Sequence, residues 1–184
     1  MLTNSKIKDE FDVKPITSDQ MDRWVQECIN IYQGNPPWLD ADDNIDTVNF
    51  AKSVCAEVAR LVMMGTGIHV DGSARGKWLD EQINKIYDLL REWVEQGCAY
   101  GTIILKPNGD TVEMYAPGDF AITHHKDGKI DGVVFTDSVE EGEKWYTKLE
   151  YHRFIDSGLY AIDNHCFVGA SRNSTDERID ISLT

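Results

Sequence analysis

The chain has 184 residues and a formal charge of -14, with 41% hydrophobic and 27% charged residues. Its length suits one domain, or one and a half, that needs no disulfide or metal staple. The acidic excess repels phosphate and disfavours a broad surface that grips nucleic acid. No apolar run approaches the roughly 20 residues of a membrane span. The four cysteines are widely spaced and no secretory signal precedes them, so we expect a soluble protein made in a reducing cytoplasm.

The first predicted helix follows a segment of little periodicity. Residues 1–16 mix charges without a repeating apolar pattern and are predicted to form a mobile N-terminal arm. Thr17 and Gln20 then have the spacing of a capping box. Apolar residues recur at helical intervals from there until Gly34. We therefore expect a helix that starts at Thr17 and stops before Gly34.

Two longer amphipathic helices are predicted next. An acidic loop over 40–46 precedes a helix over about 46–64, which has a wide apolar face. Residues 68–70 form a short apolar run that predicts a strand. Ser73 is the expected N-cap of the third helix, and Gly97 is placed to end it. The first half of the chain is thus predicted to be helical.

The second half of the chain changes to a strand-like pattern. From Tyr100 onward, β-branched and aromatic runs are separated by Gly-containing turns, which predicts an antiparallel meander of about six strands. The expected strand segments are 102–105, 111–115, 120–124, 130–136, 144–154, 159–162 and the weaker 165–168.

The predicted fold class is α+β, with three N-terminal amphipathic helices followed by the meander. The boundary between a helical part (17–98) and a β part (99–168) falls within Glu95–Pro107, where the apolar period changes. The tail, 169–184, is predicted to be a loop followed by an alternating segment. Because that alternation is cut at Thr184, we expect a longer natural chain.

No catalytic, cofactor or metal signature stands out in the sequence. The glycine-rich turns lack the spacing of a phosphate loop. His124 and His125 would point to opposite faces of a strand, so this pair cannot readily chelate one ion. With Asp119, His152 and Asp163, they are the nearest approach to a metal site. We expect no cofactor, no metal and no enzyme activity.

Cys98 keeps one catalytic alternative open. It lies beside Gly97 with histidines downstream, and could be the nucleophile of a small cytoplasmic thiol hydrolase. The preferred interpretation is a small buried residue packed where the helix crosses into the first strand. Gly97 and Gly101 would then give the chain room to reverse.

Trp38 and one ion pair are candidate interaction residues. Trp38 follows Pro36 and Pro37, which hold it stiffly; we expect it to plug the domain's own core, with an anchor between subunits as the alternative. An exposed Trp38 would also suit a stand-alone protein-binding module. Glu57 and Arg60 are spaced i,i+3, which predicts a surface ion pair, or one partly covered by the β half or a neighbouring chain.

Five segments, in this order and spacing, carry a resemblance to a known family. They are Tyr32–Trp38, Ala56–Val62, Val94–Gly101 running into Ile103–Pro107, Tyr115–Phe120 with Gly128–Ile130 and Val133–Phe135, and Tyr146–Phe154. Together they resemble the N-terminal, wing portion of tailed-bacteriophage portal proteins (head–tail connectors), particularly those of phages of Gram-positive bacteria. The match covers about 17–168. It makes interface or packing candidates of Pro36, Pro37, Trp38, Glu57, Arg60, Gly97, Cys98, Tyr100 and Gly101.

The resemblance implies a non-catalytic subunit of a ring, typically of twelve copies, at the portal vertex of a capsid. Partners would be further copies of the chain, capsid and scaffolding proteins, the terminase motor and a head–tail adaptor. Double-stranded DNA would pass through the ring without sequence-specific binding. The location would be the virion, and the host cytoplasm during assembly. Family members continue into stem, clip and crown regions that these 184 residues lack, which leaves ring formation by this chain alone open.

Overall fold

The computed structural model describes residues 4–39, 48–109, 111–155 and 158–180. The predicted acidic loop over 40–46 lies outside this part of the chain. Within it, the α+β class is confirmed: helices come first, and antiparallel strands follow them.

The elements follow one another in a simple order. The helices among the described residues are α1 (Asn4–Phe11), α2 (Asp19–Tyr32), α3 (Phe50–Gly65) and α4 (Ala74–Tyr100). The strands are β1 (Ile104–Asn108), β2 (Thr111–Tyr115), β3 (Phe120–Lys126), β4 (Lys129–Glu141), β5 (Lys144–Phe154), β6 (Tyr160–Gly169) and β7 (Glu177–Ile179).

The chain divides into two compact units that differ from the predicted division. The sheet unit comprises Met1–Asp19 and Gly118–Thr184, and the helical unit comprises Gln20–Pro117. The first hairpin, β1–β2, therefore belongs with the helices, whereas the sequence placed it with the meander. Among the described residues, β1 and β2 pair with each other in a two-stranded sheet and not with the five-stranded sheet, so the hairpin is not part of the meander.

The sheet unit is a five-stranded antiparallel meander in the order β3-β4-β5-β6-β7. Strand β5 has the predicted alternation: Thr147, Leu149 and Tyr151 are buried on one face. Val134 lies opposite Tyr151 in the register and is also fully buried. Val134, Leu149 and Tyr151 form the core of this unit with Ile7 and Phe167, because neighbouring residues on one face of paired strands pack together.

The predicted mobile arm is corrected by the structure. Residues Asn4–Phe11 form α1, and Ile7 has no solvent exposure within the core of the sheet unit. The Phe11 ring stacks on His165 of β6 at a centroid distance of 4.5 Å. Two apolar residues spaced i,i+4 are enough to dock such a short helix on a sheet, although they are too few to give a clear period.

Several strand boundaries also differ from the prediction. The two segments expected at 159–162 and 165–168 are one strand, β6, because Asp163 and Asn164 pair within the ladder opposite Tyr151 and Glu150. Strand β7 lies in the tail that was expected to be a loop. In both places the backbone supplies the hydrogen bonds of the ladder, so polar side chains do not interrupt it.

In the helical unit the ends of α4 are set by capping. Ser73 is the N-cap, as predicted, and its side chain accepts a hydrogen bond from the Gly76 N–H at 3.2 Å. The helix does not end at Gly97. It continues to Tyr100, and Gly101 adopts the left-handed conformation (φ 78°) that closes a C-terminus.

The strand predicted at 68–70 is absent from the described residues. The Val70 N–H donates to the Asp80 carboxylate at 2.9 Å instead of pairing with a strand. The two buried aromatic side chains of this unit are Trp93 on α4 and Tyr115 on β2, among the described residues. No helix in the described part of the chain combines the length and apolar character needed to cross a bilayer.

Candidate functional site

Tyr32, at the end of α2, brings together parts of the chain that are far apart in sequence. Its hydroxyl donates to Glu95 Oε1 at 2.6 Å, and its ring meets Tyr100 edge-on with centroids 5.4 Å apart. Asn49, the N-cap of α3, donates from its side chain to the Tyr32 carbonyl at 2.7 Å. Burial, and then the hydrogen bond to Glu95, raise the pKa of Tyr32 well above its usual value. The cluster joins the ends of three helices and includes Tyr100, one of the predicted packing residues.

An open apolar groove lies beside this cluster. It has a volume of about 400 Å³, and its lining includes Ile31, Phe50 and Val54. The thiols of Cys28, Cys55 and Cys98 line it as well. A concave, mostly apolar surface of this size is typical of a binding site rather than of an ordinary solvated face.

A second groove continues from the first along the start of α3. It has a volume of about 580 Å³ and is lined by Pro36, Trp38 and Val48, together with Phe50, which it shares with the first groove. The prediction that Trp38 plugs the domain's own core is wrong, because 72% of Trp38 is exposed. A tryptophan left this open on a folded unit is a typical anchor for a partner.

Helix α3 has the wide apolar face that the sequence predicted, but little of it is covered. Only Cys55 and Ala59 of this helix are buried. Phe50 is 74% exposed, Val54 59% and Leu61 56%. The apolar period showed which residues share a face, and the structure shows that most of this face meets solvent.

The predicted ion pair between Glu57 and Arg60 is confirmed as a surface pair. Arg60 donates from Nε to Glu57 Oε2 at 2.8 Å and from Nη2 to Oε1 at 2.6 Å, a bidentate arrangement. Both side chains are about half exposed. The guanidinium holds the pKa of the Glu57 carboxyl below its usual value. An exposed pair of this kind contributes little to stability.

Cys98 is exposed, so its predicted role as a buried packing residue is wrong. Its neighbour Cys55 is the buried thiol. Burial, and then the Cys98 thiol, raise the pKa of Cys55 to about 11, which makes it a poor nucleophile.

The helical unit has a single histidine, and it lies too far from Cys98 to act as its base. This histidine, His69, hydrogen-bonds Asp80 at 3.0 Å near the start of α4. Cys98 lies near the other end of that helix. Cys98 follows Asp80 by 18 positions, which corresponds to roughly 27 Å of helix. His69 therefore cannot activate Cys98, because nucleophile and base must lie within hydrogen-bond reach.

Three residues of the nearest approach to a metal site, His152, Asp163 and Asp119, have polar partners within the sheet unit. His152 is hydrogen-bonded through Nδ1 to the Tyr160 hydroxyl at 2.6 Å, and Asp163 is paired with Arg153 at 2.8 Å. Asp119 lies 3.6 Å from Arg172. Within the described ranges, no group of three or more His, Cys, Asp or Glu residues is arranged to hold a metal ion.

The sequence analysis did not single out Tyr32, Glu95 or Phe50 as site residues. Tyr32 and Phe50 line the first groove of the helical unit, and Tyr32 is hydrogen-bonded to Glu95. Tyr32 and Glu95 are 63 residues apart, and nothing in one sequence pairs them. Phe50 was part of a correctly predicted stripe, but a stripe does not say whether it is covered. Comparisons of the chain with protein-family models, with curated proteins and with solved structures gave no match.

Proposed function

We propose that the chain is the wing portion of a phage portal protein, a non-catalytic subunit of the ring at the portal vertex. The proposal is carried by one observation. The open apolar surface of the helical unit includes exposed residues from two of the resembling segments: Trp38 belongs to the first of them, and Leu61 and Val62 belong to the second. The sequence resemblance and the exposed apolar surface thus overlap at these three residues.

The energetics favour a subunit over a solitary domain. Fully burying a large apolar side chain is worth about 1.5–3 kcal/mol relative to leaving it exposed. Trp38, Val48 and Phe50 are each more than 70% exposed, on one continuous pair of grooves. Large apolar patches of this kind mark interaction sites, because a neighbouring chain recovers that free energy.

The charge of the chain is compatible with a wall around moving DNA. A formal charge of -14 disfavours phosphate contacts, which would otherwise hold the duplex in place. The capsid and scaffolding proteins, the terminase motor, the head–tail adaptor and the passing duplex remain the partners that the resemblance implies.

Electron microscopy of the complete gene product tests this function. We expect large rings with a central opening, and a gene product that stays monomeric would overturn the proposal. Trp38→Ala should reduce the yield of rings, because it removes an exposed anchor. Trp78→Ala is the matched control, since Trp78 is 51% exposed and lies outside the resembling segments.

A stand-alone protein-binding module is the second candidate, because Trp38 is exposed. Such a module would use the same grooves for a different protein and would itself remain monomeric. The thiol hydrolase has no comparable support, since His69, the one histidine of the helical unit, lies out of reach of Cys98. Cys98→Ala should leave ring formation largely intact, because it removes only one sulfur atom from the groove, whereas it would abolish a thiol enzyme.

A further inference from the structure

Three cysteines from three helices meet at the first groove of the helical unit. Cys28 lies on α2, Cys55 on α3 and Cys98 on α4, and all three line the groove. The fourth cysteine of the chain, Cys166, belongs to the sheet unit. Neither the portal role nor the binding module uses these thiols. A thiol differs from other small apolar groups chiefly in its reactivity, which depends on its exposure and on its neighbours.

Cys55 and Cys98 are direct neighbours across the contact between α3 and α4. The side chain of Cys55 is hydrogen-bonded to the Cys98 thiol. Glu95, three residues before Cys98, also interacts with the Cys55 thiol, because residues spaced i,i+3 share one face of a helix. Tyr100, at the end of the same helix, interacts electrostatically with Cys55 as well. Interactions with three positions of α4 thus place Cys55 against the turn that carries Cys98.

Small side chains at this contact favour a close approach of the two helices. Helix α3 packs against α4, and the buried residues of α3 are Cys55 and Ala59, one turn apart. The distance between packed helices depends on the side chains between them, so two small residues permit a short one. A disulfide needs Cα atoms roughly 4.4–6.8 Å apart, and a contact made of small side chains suits that need better than one made of large ones.

The two thiols differ in their access to solvent, and this difference sets the order in which they react. Cys98 is exposed, so a dissolved oxidant reaches its sulfur. Cys55 is buried, so it meets a dissolved reagent poorly, but its sulfur lies beside that of Cys98. An accessible thiol next to a second thiol that resolves its oxidised form is the arrangement found in redox-sensing cysteine pairs.

We propose that Cys98 and Cys55 are a redox pair, which a low-molecular-weight disulfide such as oxidised glutathione converts into a reversible disulfide between α4 and α3. The Cys98 thiolate attacks one sulfur of oxidised glutathione, which forms a mixed disulfide and releases one glutathione thiolate. The Cys55 thiolate then attacks the Cys98 sulfur, which forms the internal disulfide and releases the second glutathione thiolate. Two protein thiols are thus oxidised, one small disulfide is reduced, and the two protein protons end on the two glutathione thiols.

The surroundings of Cys55 slow the second step without preventing it. Burial, and then the Cys98 thiol and Glu95, raise the pKa of Cys55 to about 11, so little of it is thiolate at neutral pH. Tyr32 and Tyr100 also lie near this thiol, and burial raises their pKa values too, so both stay neutral. The attack is nevertheless intramolecular, and well-oriented intramolecular reactions have very high effective concentrations. Closure of the disulfide should therefore become faster as the pH rises.

The disulfide would fix α3 on α4 at the edge of the groove. Cys98 follows Cys55 by 43 positions, and a link that closes a loop of this length stabilises by restricting the unfolded chain. The helical unit should therefore unfold at a higher temperature when it is oxidised. The inference needs only the folded helical unit, so it stands or falls separately from the portal role.

Peptide mass spectrometry without reductant, after incubation of the 184-residue chain with oxidised glutathione, tests the pair. We expect one main linked peptide, which joins Cys55 to Cys98 and disappears on treatment with dithiothreitol. Cys98→Ala should abolish this link, whereas Cys55→Ala should accumulate glutathione on Cys98 because the resolving thiol is gone. Cys28→Ala is the matched control, since it removes the third thiol of the groove and should leave the link unchanged. Circular dichroism checks that each variant keeps its helix content.

The wild-type peptide map decides the outcome even where a variant fails to fold. A wild type that keeps Cys98 reduced, or that holds glutathione on Cys98 without the link to Cys55, overturns the pair. A main product that links Cys28 to either thiol, or Cys98 to Cys98 of a second copy, overturns it as well. Ring formation by the complete gene product is measured separately and is compatible with either result.

Discussion

The two units of the chain bury their apolar residues to different extents. In the sheet unit, Ile7, Val134 and Leu149 have no solvent exposure and pack in one core. In the helical unit, Trp38, Val48 and Phe50 are each more than 70% exposed. The sheet unit therefore has a core of its own, whereas the helical unit leaves apolar surface that an assembly would cover. Apolar residues that share a face are therefore buried in one unit and exposed in the other, because their burial depends on what packs against that face.

The largest expected effect is on the core of the sheet unit. Leu149→Ala should lower the free energy of unfolding by about 2–5 kcal/mol, because it leaves a cavity at a fully buried position. Urea denaturation of the monomer measures the change. Leu61→Ala in the helical unit is the matched control, and it should stay within about 0.5 kcal/mol because Leu61 is 56% exposed. Equal losses from both substitutions would remove the contrast between the units.

A substitution in α1 tests whether this helix is part of the folded core of the sheet unit. Ile7→Ala should cost about 2–4 kcal/mol in the same assay, because Ile7 is fully buried in the core that contains Leu149. Ile16→Ala is the control, since Ile16 is 48% exposed. A negligible effect of Ile7→Ala would restore the mobile arm that the sequence predicted.

Thiol reactivity distinguishes the buried and open positions within the helical unit. At pH 8, a pKa of about 11 leaves Cys55 with roughly 10²-fold less thiolate than an ordinary thiol with a pKa near 8.5. Alkylation followed by peptide mass spectrometry should therefore modify the exposed Cys28 and Cys98 first. In denaturant the rates should converge. Rapid labelling of Cys55 in the folded chain would mean that the groove opens further than described.

Capping of α4 is expected to have a smaller effect. Ser73→Ala removes the side chain that accepts the Gly76 N–H, and should cost about 1 kcal/mol. Ser53→Ala, within α3, is the control and should change the free energy of unfolding by less than about 0.5 kcal/mol. Thermal unfolding followed by circular dichroism measures both, and an unchanged Ser73→Ala variant would mean that another group satisfies the helix N-terminus.

The smallest expected effect is the dependence of the 66–73 loop on pH. The Val70 N–H, and then His69, lower the pKa of the Asp80 carboxyl. Its stabilising contribution is therefore complete above the unfolded pKa of about 3.9 and is lost as the pH falls through the lower folded pKa. Asp80→Asn should lower stability at neutral pH, and the difference from wild type should shrink in acid. A carboxyl titration by NMR that gives an ordinary pKa for Asp80 would contradict this.

The sequence predicted the local secondary structure better than it predicted which side chains are buried by other parts of the chain. The α+β class, the Ser73 cap, strands 111–115 and 144–154, and the Glu57–Arg60 pair followed from spacing and alternation. The docking of Ile7 and the contact of Tyr32 with Glu95 did not, since both depend on residues distant in the chain. The exposure of Trp38 and Cys98 was mispredicted for the same reason: residue type indicates a preference for burial, not what lies opposite.

Sedimentation velocity of the wild-type chain beside the Trp38→Ala variant tests most directly whether copies of the chain cover the open helical surface. The account predicts species that grow with concentration for the wild type, and weaker association for the variant, because it lacks the exposed anchor. A wild type that remains monomeric at every concentration would contradict it.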